Sequence, residues 1–175
     1  MAKNLSSLGY VRLGVVTPEL RVADIDFNTD KIIESIEIAA NRKCHLLLFP
    51  ELSVTGYTCA DLFYQSHLLK ASREAVNKIA EKTSEYGSTI IIGAPVSNGG
   101  LLFNCGFVIS CGKILAVIPK TYLCNTNEYY EERWFSSEFD RRDDKILWDS
   151  ELLPFGTDII FQDTKRKLCS GCGNL

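Results

Sequence analysis

The residues best placed for chemistry are two charges that each follow a proline. Leu46-Leu47-Leu48-Phe49-Pro50-Glu51 brings an apolar run to a carboxylate, and Ile114-Leu115-Ala116-Val117-Ile118-Pro119-Lys120 brings another to an ammonium. Proline has no N–H to give, so it closes a strand's ladder and leaves the next side chain at the strand's carboxyl end. Open α/β sheets hold their ligands there. A glutamate flanked by so much apolar surface should lose hydration, the change that tunes a carboxylate for general-base work near neutral pH. A lysine held beside it would stabilise a thiolate or a developing oxyanion. Each also reads as an ordinary solvated charge at a strand end, and spacing alone leaves both readings open.

Those charges need strands to carry them. Tyr10–Val16 is rich in β-formers and reads as a first strand. Asn28-Thr29-Asp30 supplies a helix start, with Ile32, Ile33, Ile36, Ala39 and Ala40 at helical spacing through Asn41. Cys44–Phe49 is then a second strand, buried on both faces, and the strand–helix–strand order implies parallel pairing. Cys59–Gln65 suits a short helix and Leu68–Tyr86 a longer one, with Leu69, Ser72, Val76, Ile79 and Ala80 on one face and Gly87 closing it. Thr89–Gly93, Leu101–Ile109 and Lys113–Ile118 read as three more strands, the last two a hairpin around Cys111-Gly112. Ser97–Gly100 is turn chemistry. The order predicts an α/β layered fold.

From Asn125 to Asp149 the chain turns aromatic and charged with no clean period, a composition that suits a loop covering a site. Within it, Glu128, Glu131, Glu132 and Arg133 read by default as a solvated face. Leu153–Asp158 is a turn, Ile159–Phe161 a short strand, and Lys165–Cys169 begins one more.

A chain of 175 residues suits one domain, and a net charge of -3 gives no electrostatic footprint for nucleic acid or an anionic membrane. The apolar runs are too short to cross a bilayer, and Met1–Ser7 lacks the apolar core of a signal peptide. A cytoplasmic protein with reduced cysteines is therefore expected. Cys44, Cys59, Cys105, Cys111 and Cys124 sit in or beside apolar stretches and read as small core residues. Cys169-Ser170-Gly171-Cys172 has the spacing of half a zinc site or a redox pair, but no second pair or His cluster accompanies it.

Phe49–Tyr57 (F-P-E-L-S-V-T-G-Y), followed by Pro119–Leu123 (P-K-T-Y-L), resembles the paired motifs of the nitrilase (carbon–nitrogen hydrolase) superfamily. Asn127–Phe135 (N-E-Y-Y-E-E-R-W-F) and Pro154–Phe161 (P-F-G-T-D-I-I-F) are similar to its glutaminase branch, the amidotransferase domains of glutamine-dependent NAD synthetases. The resemblance implies an α-β-β-α sandwich that hydrolyses the side-chain amide of glutamine with a Glu–Lys–Cys triad. It assigns Glu51 as general base and Lys120 as the lysine that steadies the tetrahedral intermediate, with Tyr57 and Glu131 near the substrate. It implies no cofactor in this domain, ATP and Mg²⁺ belonging to a separate synthetase domain that this chain lacks, and a homo-oligomer in the full-length family. Another nitrilase-type amidase or carbamoylase, or a non-catalytic fragment, is the alternative.

One departure bears on activity. The family's nucleophile follows the D-I-I-F strand, and its spacing from Lys120 would place that cysteine where Leu175 stands. Codons for Ser170–Leu175 can be chosen so that a one-base shift spells Gly-Val-Glu-Ile and the start of a cysteine codon. The expectation is a partial hydrolase domain over residues 1–169, with 170–175 an out-of-frame tail and the polypeptide a truncated, inactive form.

Overall fold

The computed structural model describes residues 10–163 and the backbone of Leu168–Cys172. Its centre is a five-stranded sheet of β1 (Leu13–Val15), β2 (Leu46–Leu48), β3 (Thr89–Asn98), β4 (Leu101–Ser110) and β5 (Lys113–Pro119), in that spatial order. β1, β2 and β3 run parallel, because α1 (Ile25–Asn41) and α2 (Ser66–Lys82) make the crossovers. β3, β4 and β5 are antiparallel neighbours joined by tight turns. Cys111 and Gly112 take φ of 51° and 80°, the paired left-handed conformation that a two-residue hairpin turn favours.

Both helices cover one face of the sheet. Ile32, Ile36, Ala39, Val76 and Ile79 pack on Leu47, Ile90, Ile92, Phe107 and Ile109, all buried. α1 begins earlier than Asn28-Thr29-Asp30 suggests, because Asp24 caps it by accepting from the Phe27 N–H at 3.2 Å. Asn28 and Thr29 are instead buried inside the helix. α2 starts at Ser66 and ends at Lys82, and Leu68, not Leu69, is its buried leucine.

β2 is shorter than Cys44–Phe49 and is not buried on both faces. Leu47 is sealed under the helices, but Leu48 remains 38% exposed, and beside it Val15 is 81% exposed. The outer face of the sheet is covered further along, where Val108, Ala116 and Ile118 meet Ile159 and Phe161. Those two come from β8 (Ile159–Asp163), paired antiparallel with β9 (Leu168–Cys172). Ser170, Gly171 and Cys172 thus continue a strand, while residues 165–167 of the expected strand and 173–175 of the expected tail lie outside the described residues.

The aromatic segment holds more order than its missing period implied. It contains short 3₁₀ turns at Glu131–Arg133 and Glu138–Asp140 and then a hairpin, β6 (Lys145–Trp148) with β7 (Glu151–Pro154), so Leu153 lies in a strand and not a turn. Trp148 stacks edge-on against Phe107, and Phe155 against Phe103, which pins the hairpin to the core. Cys59 and Cys105 are core residues as expected, whereas Cys111 is exposed at the β4–β5 turn and Cys44 and Cys124 are half-buried.

Candidate active site

Glu51 sits where the β2 ladder stops. Phe49 N–H still donates to Ile91 O at 2.9 Å, and Pro50 has nothing to add. The chain then turns sharply through Leu52, which is fully buried at φ 50°, a left-handed conformation that non-glycine residues rarely adopt. Ser53 replaces the missing ladder partner, its Oγ accepting from Gly93 N–H at 3.2 Å, and Val54 N–H donates to Gly93 O. Asn28 of α1 holds the far side of the turn by donating to Val54 O at 3.1 Å. The turn lies directly on Gly93, where a Cβ would come within 2.3 Å of Leu52 N and 2.7 Å of Pro50 O. Only glycine lets the Glu51 turn approach this closely.

Lys120 ends β5 on the same side. Its N–H donates to Asn104 O at 2.8 Å and its O accepts from Glu138 N–H at 2.9 Å, so its backbone is fixed on both sides. The ammonium lies 2.9 Å from Glu51 Oε2 and 3.1 Å from Oε1. It also meets Glu131, 3.0 Å from Oε2 and 3.3 Å from Oε1.

Glu131 is no solvated face residue: its side chain is 3% exposed. Oε1 accepts from Tyr57 OH at 2.9 Å and Asn104 Nδ2 at 3.4 Å, and Oε2 accepts from Cys124 N–H at 2.7 Å. With Lys120 added, both oxygens are saturated by donors. Its loop is clipped to the 60–64 turn by Asp61, which takes a two-pronged contact from Arg133 (3.0 and 3.1 Å) and the Trp134 indole N–H (2.9 Å). Those donors hold the Asp61 carboxyl down at about 2. Tyr64 OH also donates to Arg133 O.

The four residues singled out from the sequence therefore converge: Glu51, Lys120, Tyr57 and Glu131 form one hydrogen-bonded cluster. Glu51 differs from expectation in its solvation, since 45% of its side chain is exposed; the apolar run below it turns inward and leaves the carboxylate at the surface. Burial pulls the Lys120 ammonium down, but the hydrogen bonds and charges of Glu51 and Glu131 outweigh it, and the group ends above the ordinary lysine value. Burial first, then Glu131, pushes the Tyr57 phenol well up, so it stays a neutral donor.

Asn104 is the member the sequence reading missed. It sits in β4, 2% exposed, and its Nδ2 also donates to Glu51 Oε2 at 3.1 Å. The available signal was a lone amide in an otherwise apolar strand, since a buried polar side chain requires partners. A cavity of about 190 Å³ opens beside the cluster, with Glu51, Asn104 and Lys120 on its rim and Leu48, Phe49, Ile91 and Ile118 among its walls. Cys105 also lines it, but burial pushes that thiol well above its ordinary value and so away from a thiolate. Among the described residues no three His, Cys, Asp or Glu side chains are grouped as a metal site requires.

Comparison with known proteins adds to this geometry. The carbon-nitrogen hydrolase family model matches residues 12–170. The chain is 28% identical over 153 residues to a glutamine-dependent NAD(+) synthetase of Mycobacterium bovis, covering 87% of this chain and 22% of that protein. It is 32% identical over 146 residues to the Homo sapiens protein of the same name, covering 78% and 21%. The crystal structure of a glutamine-dependent NAD(+) synthetase from Cytophaga hutchinsonii superposes with a TM-score of 0.80 at 28% identity, over 88% of this chain and 26% of that one. The chain thus spans about a fifth to a quarter of the length of these three relatives.

Proposed function

The chain belongs to the carbon–nitrogen hydrolase family, and from that premise we propose that its cluster is the amide-hydrolysing site of a glutaminase domain of the NAD synthetase kind. The observation that carries the reading is Lys120 held between Glu51 and Glu131, at 2.9 and 3.0 Å, beside an open cavity. Glu131 has no open lone pair and serves as a fixed anion that keeps Lys120 charged and in place. Glu51 keeps one open side and serves as the base.

In the proposed reaction a cysteine thiol gives its proton to Glu51 as the sulfur attacks the amide carbon of glutamine. Lys120 donates to the oxyanion that forms. The C–N bond then breaks, Glu51 returns the proton to the leaving nitrogen, and ammonia and a thioester result. Water, deprotonated by Glu51, releases glutamate. Ammonia would serve amidation in a synthetase domain, where ATP and Mg²⁺ act, and the reading asks no cofactor of the residues described here. A soluble, cytoplasmic homo-oligomer is part of the same proposal.

Cys105 does not supply the required thiol, because burial holds it protonated. Titration with L-glutamine, followed by NMR, tests the site. Glutamine should shift Tyr57 and Lys120 signals, whereas asparagine and simple aliphatic amides should not. Response to aliphatic amides but not glutamine would sink the glutaminase reading in favour of another amidase.

A further inference from the structure

One residue touches every charged member of the cluster without being charged itself. Asn104 accepts the Lys120 N–H on its backbone oxygen, and its Nδ2 donates to Glu51 Oε2 and to Glu131 Oε1. An oxygen in the place of Nδ2 would face two carboxylate oxygens, so the amide orientation is forced. The two N–H bonds of one amide nitrogen thus span both carboxylates. Glu51 is left asymmetric as a result: among the described residues Oε2 takes donors from Asn104 and Lys120, whereas Oε1 takes Lys120 alone.

We propose that Asn104 is a positioning residue for this site, turning the Glu51 carboxylate so that Oε1, and not Oε2, is the oxygen open to a proton. This role rests on the hydrolase reading for its meaning, whereas the hydrogen bonds hold without it. Glu51 is 45% exposed and its carboxylate could rotate freely about its last bond; the amide of a 2% exposed residue prevents this. The same amide nitrogen stands between Glu51 Oε2 and Glu131 Oε1, so a proton taken from a thiol is directed to Glu51 Oε1.

Two measurements on the full chain test the inference, and neither needs turnover. In the unaltered protein the Asn104 side-chain amide protons should exchange with solvent at least about ten-fold more slowly than those of exposed Asn41, and Glu51→Ala should speed them several-fold. In Asn104→Ala and Asn104→Ser, Glu51 is released from its second tether and Lys120 loses part of its anionic hold. Acylation of Lys120 at pH 9 should then rise about three- to ten-fold relative to exposed Lys113. The speeding of Asn104 amide exchange by Glu51→Ala is the readout that a merely structural role would not move, and circular dichroism checks the fold. Asn104 protons that exchange like those of Asn41, or an unchanged Lys120 ratio in both folded variants, would overturn the proposal. Failure of glutamine to bind would refute the functional reading alone.

Discussion

Lys120 carries a single positive charge between two carboxylates, and one of these, Glu131, is almost wholly buried. Removing the lysine would strand that carboxylate, and breaking a buried pair from one side is costly. Lys120→Met is expected to lose about 2–4 kcal/mol of stability at neutral pH, read by urea denaturation. The pH dependence has a definite sign. The folded Lys120 group titrates above its ordinary value of 10.5, so its contribution is fully present below that value and lost as pH rises through the folded one. The gap between wild type and Lys120→Met should therefore hold at pH 7–9 and close above about pH 10.5. Tyr57 acts in the same direction, since its raised phenol also leaves the folded state more protonated than the unfolded one at alkaline pH. A gap that instead widened above pH 10.5 would refute this account. At this scale the sequence pointed to Glu51 and Lys120 because proline leaves an unmistakable stop. Glu131 stood in a run of charges whose ordinary fate is solvation, and only the family resemblance, not the local pattern, singled it out.

The elements act as carriers whose ends must be set within fractions of an ångström. The β2 turn lies against β3 at Gly93, and the two touch so closely that one added methyl group would displace Pro50–Leu52. Gly93→Ala is expected to cost about 1–3 kcal/mol, the usual range for forcing extra volume into a packed site. It should also move Glu51 away from Lys120, so that the alkaline stability loss assigned to Lys120 shrinks in the same variant. Thermal unfolding at pH 8 and pH 11 measures both; an unchanged midpoint would show that the turn can yield. The strands and helices themselves were largely legible, because their periods are local properties. Cap and boundary errors were local too: Asn28 looks like a cap until Asp24 takes the role and frees Asn28 to reach Val54. The β6–β7 hairpin was not legible, since its stability comes from Trp148 and Phe155 stacking on Phe107 and Phe103, residues far away in the chain.

Across the whole molecule, the helices seal one face of the sheet while the other is covered mainly over β4 and β5. Leu13, Val15 and Leu48 form an exposed apolar strip on β1 and β2, at 65%, 81% and 38%. Such a strip favours association. The 175-residue chain is expected to bind a hydrophobic dye and to self-associate in sedimentation velocity, and Val15→Lys to reduce both. A monomer with no dye binding would contradict this. The sequence by itself determined the helices, the five strands of the central sheet and which charges stand at strand ends, because proline stops and apolar spacing act over a few residues. Only the tertiary structure decided that those charges meet. Glu51 and Lys120 are 69 residues apart, Tyr57 and Glu131 are 74 apart, and Asn104 joins them from a strand between. Their convergence depends on strand order and on register between β4 and β5, set by the summed packing of the core and not by any local pattern.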